Sequence, residues 1–153
     1  MKVGEIATKD VVSVRPDESV KEALGLLFKI QISGLPVIDG DGRLVGMFTE
    51  KEILSYLLPS YVERVGRFIY DQNPKAIKKK FAELSKLKVS QLMRKDIVTT
   101  TEDTALCEVA RVMLTQKARR LPVLDKTGKV LGIIARSDVL KAISKEASIN
   151  TGE

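Results

Sequence analysis

The 153-residue chain contains no histidine, no tryptophan and a single cysteine. Without histidine there is no imidazole general base, and every zinc motif that needs His is excluded. One cysteine rules out an internal disulfide framework and points to a reducing compartment. Cys107 stands in a helical pattern with Ala105, Leu106, Val109, Ala110 and Met113, and is expected as a small core residue. No apolar run is long enough to cross a bilayer, and the opening Met-Lys-Val-Gly-Glu lacks a signal-peptide core. A cytoplasmic chain with no membrane partner is therefore expected. No nucleophile–base pair and no metal-ligand cluster is visible, so an enzyme is the least expected class, and no metal or required cofactor is expected.

What is present is ordinary for a globular chain, with 44% hydrophobic residues and room for one compact domain or two small interlocked ones. The formal charge of +6 favours anionic partners but does not choose between nucleotide, nucleic acid and membrane.

The most informative stretch runs from Arg119 to Asp138. Leu121 to Leu124 and Val130 to Ile134 are short apolar runs separated by Asp125-Lys-Thr-Gly-Lys129, which reads as a β-hairpin. The second strand feeds a helical pattern beginning near Asp138. A strand delivering the chain into a helix N-terminus leaves unpaired backbone N–H groups that bind anions. Arg119, Arg120 and Arg136 add positive charge, and the Asp138 carboxylate offers an acceptor for paired hydroxyls. Together these suggest a nucleotide. The alternatives stay open: Ser137 and Asp138 as helix caps, and Arg119 and Arg120 as exposed cations at a helix end.

The stretch occurs twice. Leu35 and Leu121 stand 86 positions apart, and the offset holds without a gap through Val3/Val89, Asp10/Asp96, Asp17/Asp103, Pro36/Pro122, Gly46/Gly132 and Leu54/Leu140. An internal repeat outranks any single motif as evidence of architecture. Each copy reads β-α-β-β-α. In the first these are Val11–Val14, a helix from Val20 to Ile30 capped by Asp17 or Ser19 and ended by Ser33-Gly34, strands at 35–38 and 44–48, and a helix from Glu50 to Leu58 stopped by Pro59. In the second they are 97–100, 105–116, 121–124, 130–134 and 137–143. Residues 60–88 belong to neither copy. Tyr61, Val62, Val65, Phe68 and Ile69 suggest one amphipathic helix, Asn73-Pro74 a break, and Ile77, Phe81, Leu84 and Leu87 a second helix starting at Pro74. Lys78, Lys79 and Lys80 read as a solvated helix face, with a nucleic-acid patch as the alternative. Residues 145–153 read as a frayed tail.

The motifs Gly34-Leu-Pro-Val with Gly46-Met-Phe-Thr-Glu-Lys-Glu52, and Arg120-Leu-Pro-Val with Gly132-Ile-Ile-Ala-Arg-Ser-Asp138, resemble those of the cystathionine-β-synthase (CBS) domain family. The chain resembles a stand-alone tandem pair, or Bateman module, with repeats at 1–59 and 89–144. The resemblance implies an α/β (α+β) fold of two β-α-β-β-α repeats packed sheet to sheet around a pseudo-twofold, with a helical insertion between them. It also implies two clefts taking adenosine-containing ligands: AMP, ADP, ATP or S-adenosylmethionine. In similar proteins the ribose lies on the Asp of a Gly-h-h-Thr/Ser-x-x-Asp motif (h, hydrophobic), with phosphates near the Thr/Ser and basic groups. Carried over, the main cleft is Ala7, Val12, Ile32, Ser33, Gly34, Pro36, Ile134, Arg136, Ser137 and Asp138. The second is Met93, Val98, Ala118, Arg119, Arg120, Pro122, Thr49, Lys51 and Glu52. Ala135 replaces the usual hydroxyl in one motif. Glu52 replaces Asp in the other and, one methylene longer, must retract to hold a ribose, so the Asp138 cleft is the better ribose site. Leu35, Pro36, Leu121 and Pro122 are expected in the core, bordering the clefts by their backbone.

The expected function is a regulatory module that senses an adenosine ligand and signals through shape change, self-association as a homodimer, or an unidentified effector protein. A structural or oligomerisation module without a ligand is the alternative. A nucleic-acid binder using Lys78–Lys80 is the third reading.

Overall fold

The computed structural model describes residues 1–58 and 74–151. Pro59 and the first helix expected in the insertion, with Tyr61, Val62, Val65, Phe68 and Ile69, lie outside the described residues, as does Asn73. The elements in chain order are α1 (Val3–Ile6), α2 (Val20–Ile30), β1 (Gly34–Ile38), β2 (Leu44–Thr49), α3 (Glu50–Leu57), α4 (Pro74–Glu83), α5 (Val89–Leu92), β3 (Thr100–Thr101), α6 (Leu106–Thr115), β4 (Arg120–Leu124), β5 (Val130–Ala135) and α7 (Arg136–Thr151). The fold is of mixed α+β type with two sheets, one of β1 and β2, the other in the order β3-β4-β5. In the larger sheet β3 runs parallel to β4, and β4 antiparallel to β5.

The chain forms two compact units. The first holds Met1–Val12, Asp41–Leu44 and Ile97–Glu153; the second holds Ser13–Gly40 and Val45–Asp96. Each unit thus takes its main helices and strands from one copy and its opening segment from the other. The 86-residue offset reappears in the hydrogen bonds. In the first unit Val3 N–H bonds Thr104 O at 2.9 Å, and Thr8 and Ile133 exchange backbone bonds of 2.8 and 2.9 Å. In the second, Val89 N–H bonds Glu18 O at 2.8 Å, and Arg94 and Met47 exchange bonds of 2.8 and 2.9 Å. Because Thr8 lies flat against β5, no Cβ fits at Gly132, where one would stand 2.7 Å from Thr8 O. Gly46 is in the same position against Met93 and Arg94.

The cores follow from helical periodicity and from short strands buried over consecutive residues. Val20, Ala23, Leu24 and Leu27 line the inner face of α2 and meet Leu35, Val37 and Phe48. Leu106, Val109 and Met113 do the same on α6, against Leu121, Val123 and Ile134. The exchanged segments contribute one fully buried valine each, Val89 to the second unit and Val3 to the first. Burying such a side chain stabilises by about 1.5–3 kcal/mol, so each opening segment is anchored rather than draped. Leu35, Pro36, Leu121 and Pro122 are buried, as expected.

Several elements differ from expectation. The Val11–Val14 strand shrinks to a single parallel bridge, Val14 to Val37, because the turn closed by Arg15 N–H on Glu18 Oε1 takes the chain away at once. Its counterpart is the two-residue β3. Helix α2 spans Val20–Ile30 as expected, but the residue that stops it is Gln31, in the left-handed region at φ 57°, rather than Ser33-Gly34. Ser19, not Asp17, caps its start, accepting from Glu22 N–H at 3.1 Å. Helix α4 stops at Glu83, and Leu84–Lys86 tighten into a 3-10 turn that leaves Leu87 extended, its carbonyl taking the Val20 N–H at 2.8 Å. Helix α7 continues to Thr151 where a frayed tail was expected. Cys107 is exposed, not a core residue, because its position falls off the Leu106–Val109–Met113 stripe. The short helices α1 and α5 carry no sequence periodicity long enough to betray them.

Candidate functional site

Each unit contains one strand-to-helix junction of the kind expected to hold a ligand. In the first unit β5 passes directly into α7 at Ala135–Arg136. The Asp138 carboxylate reaches back, and its Oδ2 accepts the Ala135 N–H at 2.8 Å. In the second unit β2 passes into α3 at Thr49–Glu50, and Glu52 Oε2 accepts the Thr49 N–H at 3.1 Å and the Thr49 hydroxyl as well. A residue at the third helical position that satisfies the backbone before the helix is half of a capping box. Both carboxylates therefore cap, and Glu52, one methylene longer, does so folded back. The Asp138 bond engages one carboxylate oxygen and leaves Oδ1 for another donor. Ser137 is exposed beside it.

The first unit brings together Ala7, Ile134, Ser137 and Asp138 of the main set, because the Thr8–Ile133 pairing lays the opening segment along β5. Val12 belongs to the same unit and is 46% exposed. Ile32, Ser33, Gly34 and Pro36 belong to the second unit. Of the second set, Thr49, Lys51, Glu52 and Met93 fall in the second unit, and Val98, Ala118, Arg119, Arg120 and Pro122 in the first. In the second unit Gly34 opens β1 so close to β2 that a Cβ there would stand 2.7 Å from Thr49 Cγ2. The equivalent position in the first unit is Arg120, whose side chain is exposed, as is that of Arg119.

Arg136 is placed differently from its expected role as a phosphate donor. Its Nε donates to Ala118 O at 3.1 Å and its Nη2 to Met113 O at 3.2 Å. The guanidinium is thus engaged on the carbonyl end of α6. Lys80 also departs from a solvated face: Nζ donates to Tyr56 O at 3.0 Å and lies 5.2 Å from the Tyr56 ring centre, while Lys78 and Lys79 are exposed. The Tyr56 hydroxyl donates to Glu83 Oε2 at 3.1 Å; partial desolvation, and then this bond, raise its pKa. The sequence carried no signal for these contacts, which join residues 18 to 27 positions apart.

Among the described residues no group of acidic, His or Cys side chains is arranged to hold a metal ion, and no helix is long and apolar enough to cross a membrane. Among the described residues, two apolar features stand at matching places of the two copies. One is a cavity of about 230 Å³ in the second unit, lined by Leu24, Phe28, Ile53, Leu54, Leu57 and Phe81. The other is a set of exposed side chains at matching places in the first unit, Leu114, Leu140 and Ile143.

A family model of the CBS domain matches residues 3–59 and again residues 89–145. The chain is 35% identical over 148 residues to the CBS domain-containing protein CBSX1, chloroplastic, of Arabidopsis thaliana, covering 92% of this chain and 63% of that protein. It is 33% identical over 140 residues to inosine-5'-monophosphate dehydrogenase of Methanocaldococcus jannaschii, covering 92% of this chain but only 23% of that protein. The chain therefore spans less than two thirds of the length of either relative. A crystal structure of CBSX2, also from Arabidopsis thaliana, in complex with AMP superposes with a TM-score of 0.73 at 31% identity, covering 95% of this chain and 98% of that one.

Proposed function

This chain belongs to the CBS domain family and carries the domain twice, and from that premise we propose that it is a regulatory module binding an adenosine-containing ligand, AMP foremost. The observation that carries the reading is the likeness to CBSX2 over nearly the whole chain, since that protein was crystallised with AMP. Asp138 supports it: a carboxylate at a strand-to-helix junction, with one oxygen capping and the other available to a ribose hydroxyl. ADP, ATP and S-adenosylmethionine share the adenosine group and fall in the same proposed class. The ribose end is assigned to Asp138, with Ser137 beside it, and Ala7, Val12 and Ile134 of the same unit complete the proposed site. The Glu52 junction is the weaker site. No catalytic step is assigned to the chain, and a reducing, cytoplasmic location fits its single exposed thiol.

Output by self-association as a homodimer is supported by the apolar side chains left exposed at matching positions of both copies, Phe28 and Leu114, Leu54 and Leu140. A second reading, a structural module without a ligand, is favoured by one observation: both junction carboxylates already have a capping job. Calorimetric titration with AMP, ATP, S-adenosylmethionine and adenosine separates the two. Saturable binding of at least one of them is expected; no heat from any at millimolar ligand leaves the structural reading standing.

A further inference from the structure

We infer that Arg136 is a positioning residue for the Arg119–Arg120 cation pair rather than a phosphate ligand in its own right. Resting on the nucleotide reading above, this inference concerns the two cations of the second residue set, Arg119 and Arg120, and names how the phosphate end of a ligand is met there. Three guanidinium groups are close in sequence-adjacent segments of the first unit, and only two are free to turn outward. Arg136 spends two of its donors on Met113 O, in the last turn of α6, and on Ala118 O, two residues before β4. These are carbonyls of the type left unpaired at a helix C-terminus, where a cation is also favoured by the helix dipole. The same loop is closed by Ala118 N–H on Met113 O at 3.0 Å and by the Arg136 N–H on Arg119 O at 3.0 Å. Within it Lys117 holds a left-handed φ (55°), as Gln31 does (57°) at the equivalent place in the other copy, so the clamp acts on the loop beyond this residue rather than on its backbone state. The loop then delivers Arg119 and Arg120, both exposed.

The other copy provides the control. Its equivalent of Arg136 is Glu50, whose carboxylate has no N–H to give a carbonyl; it keeps only the backbone bond, Glu50 N–H to Ser33 O at 2.9 Å. In that copy the positions of Arg119 and Arg120 are Ser33 and Gly34, with no charge to aim. The clamp occurs in the copy that has the cation pair, and is missing from the copy that has none.

The test has two arms, both on the full chain. Without ligand, amide hydrogen exchange is followed in wild type, Arg136→Met and the milder Arg136→Lys. Arg136→Met should speed exchange at Gln116 and Ala118 by at least tenfold relative to Ile133, with Arg136→Lys in between. Equal effects at all three amides, or none, overturn the clamp. With ligand, ATP affinity is measured in wild type, Arg136→Met, the Arg119→Gln/Arg120→Gln pair, and the triple variant. Positioning predicts about a tenfold loss from Arg136→Met in the wild-type background and less than twofold once the pair is gone, the non-additivity of residues acting as one unit. An equal loss in both backgrounds makes Arg136 a direct phosphate ligand and overturns the inference, as does unchanged ATP affinity in Arg136→Met. A wild type that binds none of ATP, AMP or S-adenosylmethionine overturns the nucleotide reading and the phosphate role together, while the exchange arm still decides the clamp.

Discussion

Asp138 and Gly132 show how much a single residue of β5 or α7 has to satisfy. At Gly132 the nearest obstacle to a side chain is a backbone carbonyl that cannot move without breaking the Thr8–Ile133 pairing; at Gly46 it is chiefly the flexible Met93 side chain. Gly132→Ala should therefore destabilise by about 1–3 kcal/mol, the usual range for overpacking, and Gly46→Ala by less, as read from denaturant midpoints. Similar losses at both positions would mean the opening segment yields as easily as a side chain. Asp125 sets up the β4–β5 turn. Its carboxylate is held below the ordinary range first by the Thr127 hydroxyl and then by the Lys129 N–H. A carboxylate whose folded pKa is lowered adds stability above its unfolded value of roughly 3.9 and loses it as pH falls through the folded value. The melting-temperature gap between wild type and Asp125→Ala should thus be full near pH 6 and narrow below about pH 4; a gap independent of pH would assign the effect to the turn's shape alone.

At the scale of elements, helices α2 and α6 end alike, with Gln31 and Lys117 at φ 57° and 55°. Glycine adopts that conformation without the Cβ clash, so Gln31→Gly and Lys117→Gly should each stabilise by up to about 1 kcal/mol, less the extra chain entropy glycine brings. A lowered melting temperature for both would show that the side chains, not the backbone, hold these ends. The long elements were legible because a period of 3.6 survives in α2 and α6, because β1 and β4 are short apolar runs bounded by turn residues, and because the repeat let one copy check the other. What stops α2, and where α4 ends, was not. Gln31 and Leu87 are fixed by partners distant in sequence or by a backbone state no residue type announces. Asp138 was legible as a cap or a ligand and Glu52 only as a ligand position; both are now seen to cap. The Arg136 clamp was not legible, since an arginine after a strand reads as free charge until the carbonyls of Met113 and Ala118 are placed beside it. Nor was Cys107, whose exposure depends on which side of α6 faces the core.

Over the whole molecule, the exchange of opening segments makes each compact unit depend on both copies. Deleting residues 1–12 should remove Val3 from the first unit's core and unzip the Thr8–Ile133 pairing, lowering the melting temperature by several degrees; an unchanged transition would mean the segment is dispensable. Leu114→Glu with Leu140→Glu should shift the chain to monomer in light scattering if the exposed helix faces carry self-association, and an unchanged mass would exclude those faces. An adenosine ligand at Asp138 is proposed to be held by the carboxylate's charge, over and above the cap. Calorimetric titration of AMP into wild type, Asp138→Asn and Asp138→Ala tests it most directly. Asn retains an oxygen for the Ala135 N–H, so Asp138→Asn should keep the unliganded melting temperature, whereas Asp138→Ala should lose about 1 kcal/mol of stability. Both should lose more than tenfold in AMP affinity, since hydrogen bonds to a charged group contribute about 1.5–3 kcal/mol each. Wild-type AMP affinity in Asp138→Asn would leave Asp138 a helix cap and nothing more.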